Sequence, residues 1–227
     1  MSRPSILIRN VHKKFLESSF FVHILKGVTF SLSPGEIVGL VGESGTGKST
    51  LLHLIGLLDS VTEGEIIIDG VDMSHASERD RTKFRRDTIG FVYQKHHLLS
   101  EYTVLENIMM PLLIQGVSKS EAKRRAFHLM QRVGIDHRAQ YPITKISGGE
   151  QQRASVARAL IKQPKILLAD EPTGNLDQET GEQVFALFLD LAKEQNVTML
   201  MVTHNQSLMK KMDRVLFLEN GTVEERL

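Results

Sequence analysis

The stretch GESGTGKST, Gly42 to Thr50, follows the apolar run IVGLV and precedes the helical pattern STLLHLIGLL. It fits G-x-x-x-x-G-K-[ST] between a strand and a helix, the one setting in which that spacing has a physical purpose. Its glycines let the backbone N–H groups of the loop, Gly42, Glu43, Ser44, Gly45, Thr46 and Gly47 through Lys48, Ser49 and Thr50, curl around an anion at the start of a helix. With average residue usage the pattern arises by chance in about one chain in a hundred of this length, and the strand–loop–helix context makes it rarer. The stretch reads as a nucleotide phosphate loop in which Lys48 bridges the β- and γ-phosphates and Ser49 places its hydroxyl on Mg²⁺.

A phosphate loop of this kind needs a strand behind it, and the chain supplies several. EIVGLVG, TIGFVY, KILLAD and TMLMVTH are short apolar runs without alternation, which read as strands buried on both faces of a parallel sheet. Ile6, Ile8 and Val11, then Val28, Phe30 and Leu32, alternate with polar residues, and EGEIIIDG lies between glycines, so a small antiparallel sheet is expected alongside. Asn220-Gly221 marks a hairpin. Between about Lys95 and Gln163 the pattern is helical. Ala122, Ala126, Leu129, Met130 and Val133 share a face, Ser118 and Glu121 have the spacing of a capping box, and Gly134 can end that helix. The expected fold is α/β with a mostly parallel sheet, an antiparallel β subdomain and an inserted α-helical subdomain. One domain over 1–227 is expected, its core from 1–94 and 164–227 and its helical part from 95–163.

Charge and cysteine usage remove several function classes. Lys and Arg number 28 against 27 Asp and Glu, so net charge gives no support to non-specific binding of nucleic acid or an anionic membrane. With no cysteine, disulfide frameworks, thiolate metal sites and cysteine nucleophiles are excluded. No apolar run approaches the ~18 residues needed to span a bilayer, and membrane association is expected only through partners.

ILLADEPTGNLD puts Asp170 and Glu171 at the carboxyl end of a buried strand, where open α/β sheets bind ligands. Beside a phosphate loop, Asp170 is the expected Mg²⁺ ligand, directly or through water, and Glu171 the general base for an attacking water. Gln94 after TIGFVY and His204 after TMLMVT also end strands. Taken alone they read as satisfied structural residues; taken with the loop and the acids they become a water or metal sensor and a γ-phosphate contact. KISGGEQQR, Lys145 to Arg153, raises an electrostatic question, since a Ser-Gly-Gly turn suited to an anion carries the carboxylate Glu150. Ser147 and Glu150 have capping-box spacing, which gives that acid a backbone partner away from the anion and a favourable place in the first turn of a helix.

In their order and spacing these six motifs resemble the ATP-binding subunits of ABC transporters across essentially the whole chain. GESGTGKST is similar to the Walker A loop, Gln94 to the Q-loop glutamine, ISGGEQQR to the signature, ILLADE to Walker B, GNLD to the D-loop and His204 to the switch histidine. The family more often has Leu at position 146 and Gln at position 150. The resemblance implies a RecA-like core and a dimer in which each ATP, with Mg²⁺, lies between one subunit's Walker A and the other's signature. Ser147, Gly148 and Gly149 would then face the γ-phosphate held by the partner subunit, and Asp177 would line the interface. Phe15 stands where the family has an adenine-stacking aromatic; Phe20 and Phe21 are rivals, and a core role competes for all three. ILKG, YTVLENIMMPLLIQG and LADEPTGNLD are most similar to the lipoprotein-releasing group, then to macrolide-exporter and cell-division relatives. These imply transmembrane permease partners at the inner membrane, reached through the helical subdomain. Met109, Met110, Leu112, Leu113 and Ile114 make its first helix apolar, and most of them are expected in its core. Two other classes compete. A P-loop kinase leaves ISGGEQQR and GNLD without a role, and a soluble ABC ATPase of DNA repair or translation usually carries further modules.

Overall fold

The computed structural model describes residues 3–17 and 20–225; Met1, Ser2, Ser18, Ser19, Arg226 and Leu227, which fall inside the expected domain limits, lie outside the described residues. The elements run β1 (Ile6–Glu17), β2 (Phe20–Leu32), β3 (Ile37–Val41), α1 (Lys48–Ile55), β4 (Glu63–Ile68), β5 (Val71–Asp72), α2 (Glu78–Thr88), β6 (Ile89–Tyr93), α3 (Val104–Ile114), α4 (Lys119–Arg132), α5 (Gly148–Leu160), β7 (Ile166–Asp170), α6 (Gln178–Glu194), β8 (Thr198–Val202), α7 (Gln206–Met209), β9 (Arg214–Glu219) and β10 (Thr222–Glu225). They divide into two compact units, residues 3–85 with 196–225, and Arg86–Gln195.

In the first unit β3 runs parallel to β8 on one side and to β9 on the other. Every residue of β3 and β8 is buried, as runs without alternation require. β9 turns back antiparallel into β10 through Asn220 and Gly221, whose φ angles of 51° and 84° match the twist of a tight hairpin. The second sheet is antiparallel, with β1 between β2 and β4, and β5 beside β4. Ile6, Ile8, Val11, Val28, Phe30 and Leu32 are all buried, so the alternation of the sequence resolves into one core face. On α1 the buried Leu51, Leu52, Leu54 and Ile55, each worth about 1.5–3 kcal/mol, hold the helix start at the end of β3.

In the second unit β6 and β7 pair in parallel from Ile89↔Ile166 to Tyr93↔Asp170. A Cβ at Gly90 would meet the carbonyl of Ala159 at 2.7 Å, so glycine lets α5 approach the strand. α3 opens with a reciprocal capping box between Thr103 and Glu106. α4 departs from expectation. Ser118 accepts from the Glu121 N–H, but the Glu121 carboxylate turns to Arg124 and Arg125, whose charged hydrogen bonds lower its pKa to about 2 and outcompete the neutral backbone donor. The expected exit holds: Gly134 has φ 72°, and Ile135 N–H donates to the Met130 carbonyl at 2.9 Å and Gly134 N–H to that of Gln131 at 3.2 Å, a Schellman ending. On α3 the core takes only part of the apolar run. Met109 and Leu112 are buried and Met110 half-buried, while Leu113 and Ile114 are exposed, because the last turn rotates them away from the α4 and α5 contacts.

Candidate nucleotide site

The loop after β3 is shaped by close approaches. A Cβ at Gly42 would lie 2.3 Å from the Leu218 carbonyl, and one at Gly47, where φ is 103°, would lie 2.7 Å from Ile24. Both positions are thus closed to any larger residue. Gly45, with φ 80°, has open space instead, and Glu43, Ser44 and Gly45 are exposed at the loop tip. Thr46 Oγ1 donates to the Glu43 carbonyl at 2.9 Å, which closes the turn. Gly47 caps α1 without a side-chain acceptor, so the helix presents first-turn N–H groups to an anion. Lys48 is buried and donates to the Gly42 and Glu43 carbonyls at 2.9 and 2.7 Å. Its ammonium is folded onto the loop that a phosphate would occupy. Ser49 is exposed and Thr50 half-buried on the first turn of α1.

In the same unit β1 and β2 pair as far as Glu17↔Phe20, whereas β4 accompanies β1 only to His12↔Glu63. Among the described residues no third strand pairs with β1 beyond that point, and Phe15, Phe20 and Phe21 keep 41, 59 and 68 % of their surface exposed. None joins the core, which overturns that competing role. His204 follows β8 as an exposed residue.

The second unit gathers the remaining motifs. Asp170 ends β7 opposite Tyr93, and Glu171 follows with φ 44°, a left-handed backbone that costs about 1–2 kcal/mol outside glycine and clusters at functional sites. The Glu171 carbonyl accepts from Gly174 N–H at 3.0 Å. Gln94 Nε2 donates to Asn175 Oδ1 at 3.2 Å, and Asn175 Nδ2 returns a bond to the Gln94 carbonyl at 2.9 Å. Gly174 permits this clasp, since its Cβ would lie 2.8 Å from Gln94 Nε2. Gln94, Asp170 and Glu171 therefore meet at the carboxyl ends of two adjacent strands, and Asn175 is the partner that sequence reasoning missed, although it lies within GNLD.

Ser147 caps α5 and Asp177 caps α6, accepting from Thr180 N–H at 3.0 Å. Bonds from the Thr180 backbone and hydroxyl hold the Asp177 carboxyl below its ordinary value. A Cβ on Gly149 would meet Thr180 Cγ2 at 2.8 Å, and one on Gly148 would meet Leu176 at 3.6 Å. The glycine turn and the Asp177 segment thus form one packed feature. Glu150 closes the expected reciprocal box: its Oε2 accepts from Ser147 N–H at 2.8 Å and Ser147 Oγ at 2.9 Å. Its other oxygen accepts from Arg138 Nε at 2.7 Å, with His137 Nε2 at 3.4 Å. Burial would raise the Glu150 pKa, but the bonds from Arg138 and Ser147 outweigh it and bring it down to about 2. The carboxylate is tied to its own scaffold, which answers the electrostatic question raised by the sequence. Arg138, 12 residues away in a short turn, left no pattern from which it could have been found.

Among the described residues no group of three or more His, Cys, Asp or Glu side chains is arranged to hold a metal. The expected donors Ser49, Gln94 and Asp170, one hydroxyl, one amide and one carboxylate, are too few for an all-protein cage. They suit Mg²⁺, which keeps waters and takes phosphate oxygens. Among the described residues no helix is long and apolar enough to cross a membrane.

A buried lysine on a glycine loop at a helix start in one unit, and paired acids at the carboxyl end of a buried strand in the other, are the parts that define a P-loop nucleotide hydrolase. The family profile for ABC transporters matches residues 25–174, and the chain belongs to the ABC transporter family, as an ATPase of its ATP-binding cassette type. It is 46 % identical over 224 residues to lipoprotein-releasing system ATP-binding protein LolD 2 of Caulobacter vibrioides, covering 99 % of this chain and 98 % of the relative. It is 47 % identical to LolD of a Ruegeria species over the full length of both. Among solved structures it is similar to the ATP-binding cassette MJ0796 in a dimeric post-hydrolysis state bound to ADP and Pi, with a TM-score of 0.89, 36 % identity, and coverage of 97 % of this chain and 98 % of that one.

Proposed function

We propose that this chain is the ATP-hydrolysing subunit of a lipoprotein-releasing complex at the cytoplasmic face of the bacterial inner membrane, where LolC/LolE-like permease subunits hold it. The observation that carries the reading is the full-length likeness to LolD proteins, combined with a complete set of nucleotide motifs in one chain. The alternatives of a macrolide-exporter-like or FtsE-like ATPase share the catalytic parts and differ in permease and cargo.

Binding begins with an exchange of partners at Lys48. Its ammonium leaves the Gly42 and Glu43 carbonyls for the β- and γ-phosphates, while the N–H groups of Glu43 through Thr50 cradle them. Phe15 stacks on adenine, a role that needs no hydroxyl. Ser49, Gln94 and Asp170 would hold Mg²⁺, which when bound would supply positive charge against that developing on the phosphates. Glu171 takes a proton from the attacking water as general base, and His204 contacts the γ-phosphate. In the ATP-bound homodimer Ser147, Gly148 and Gly149 of one subunit close over the nucleotide of the other, and Asp177 lines the interface. A triphosphate is gripped from both sides and a diphosphate mostly from one, so hydrolysis supplies the differential affinity that a switch requires.

The experiment is a Glu171→Gln variant, examined with and without ATP by size-exclusion chromatography and phosphate release. Expected is a nucleotide-dependent dimer that turns over at least about a hundredfold more slowly, the lower range for a lost general base. Hydrolysis at the normal rate would remove Glu171 from the role. Purification from solubilised membranes tests the cargo reading, since a LolC/LolE-like permease is expected to accompany the chain and a drug-exporter permease would replace that conclusion.

A further inference from the structure

We infer that Lys13 is a positioning residue for the nucleotide base: it holds the Phe15 ring from one side and ties it to the segment that follows the phosphate-loop helix. The inference rests on the reading of Phe15 as the stacking aromatic.

The geometry accounts for every proton of the ammonium. Lys13 Nζ donates to Asp59 Oδ1 at 2.7 Å and to the Ser60 carbonyl at 2.8 Å, and it lies 4.7 Å from the centroid of the Phe15 ring. Two of its three donors are thus spent on oxygens, and the third has the π face. A lysine is rarely buried unless paired, yet Lys13 keeps only 7 % of its surface exposed, while Phe15 keeps 41 %. The cation is therefore built in and the ring left accessible. Burial acts to raise the Asp59 pKa, but the Lys13 and Ser60 bonds more than compensate and lower it, so the anchor stays charged.

The anchor's location gives the contact its purpose. Asp59 and Ser60 lie between α1 and β4, a few residues past the helix that starts at Lys48. The same segment is pinned to β1 by Thr62 N–H on the His12 carbonyl at 2.9 Å and by Lys14 N–H on Thr62 Oγ1 at 3.0 Å. Because among the described residues no third strand pairs with β1 beyond His12, Phe15 has its strand pairing with Val22 and the Lys14–Thr62 tie to set its backbone, but neither fixes its ring. Lys13 supplies the missing support and links the base-contacting ring to the phosphate-contacting helix, with the preorganisation that a binding group needs.

The test measures affinity for ATP and for inorganic tripolyphosphate by titration calorimetry. It compares the wild type with Lys13→Arg, with Lys13→Met combined with Asp59→Asn so that no unpaired half-buried carboxylate remains, and with Phe15→Leu. For Lys13→Met/Asp59→Asn the ATP affinity is expected to fall about three- to thirty-fold, the range of a partly to fully desolvated cation–π contact, with tripolyphosphate binding unchanged. Lys13→Arg, which keeps a cation able to lie on the ring, is expected to restore most of the ATP affinity. Equal losses for both ligands, or an ATP affinity that survives in the paired variant while Phe15→Leu weakens it, would overturn the role of Lys13 and leave the base reading intact. Wild-type ATP affinity in Phe15→Leu would instead remove the base reading itself.

Discussion

At Glu150, burial and hydrogen bonding act on one carboxylate in opposite directions, and hydrogen bonding wins. Its folded pKa of about 2 lies below the ordinary 4.5, so the folded chain sheds this proton more readily than the unfolded one. The stabilisation it brings is complete above 4.5 and disappears as pH falls towards 2. Urea unfolding of wild type and Glu150→Gln is therefore expected to give a stability difference that shrinks steadily through that window; a difference independent of pH would take the Arg138 pair out of the balance. The amide still accepts the capping bonds, so ATP-driven dimerisation is expected to be little changed. A large tightening would mean that the carboxylate repels the nucleotide after all. The capping role was legible in the sequence because Ser147 and Glu150 are three residues apart, as was the phosphate loop, whose members are contiguous. The Arg138 bond and the left-handed backbone of Glu171 were not, since both depend on how distant segments pack.

Among the elements, those buried on both faces or striped along one face were the legible ones. The runs of β3, β7 and β8, the alternation in β1 and β2, and the face of α4 each carry a period that packing must respect. α2 was harder to read: ERDRTKFRRDT has Phe84 as its one apolar side chain, its stripe of Arg81, Phe84, Arg85 and Thr88 is only half-buried, and Ser77, accepting from Asp80 N–H at 3.2 Å, marks its start. Two glycines separate the physical costs. Gly134→Ala meets nothing within 4 Å, but its φ is 72°, so the expected loss is about 1 kcal/mol from backbone strain alone, read as a lower urea midpoint. Gly149→Ala lacks that strain but drives a methyl to 2.8 Å from Thr180 Cγ2. About 1–3 kcal/mol of overpacking is expected, and adding Thr180→Ser, which removes the opposing methyl and keeps the cap, is expected to recover most of it. If ATP-driven dimerisation stays lost in the repaired double variant, Gly149 serves the nucleotide as bare backbone. If dimerisation returns with stability, its role is confined to helix packing.

For the whole molecule, the decisive property is that one chain carries both a phosphate loop and a signature turn, which the proposed assembly never uses on the same nucleotide. In a two-fold dimer each composite site takes its loop from one subunit and its turn from the other, and both copies present the same surface. In that assembly Lys48→Ala is expected to disable every site through the loop, and Ser147→Arg to disable every site by placing a long cation where the α5 cap would approach the γ-phosphate. Homodimers of either variant then contain no intact site. A mixed dimer contains one, formed by the loop of the Ser147→Arg chain and the turn of the Lys48→Ala chain, together with one doubly broken site. With free exchange and independent sites, an equimolar mixture forms about half mixed dimers, each with half its sites intact, so about one quarter of wild-type ATPase activity is expected from two preparations that are each inactive. A site completed within one subunit predicts no recovery at any mixing ratio. A titration of one variant into the other therefore separates a shared site from a private one, and a recovery well below one quarter would mean that the two sites must fire together.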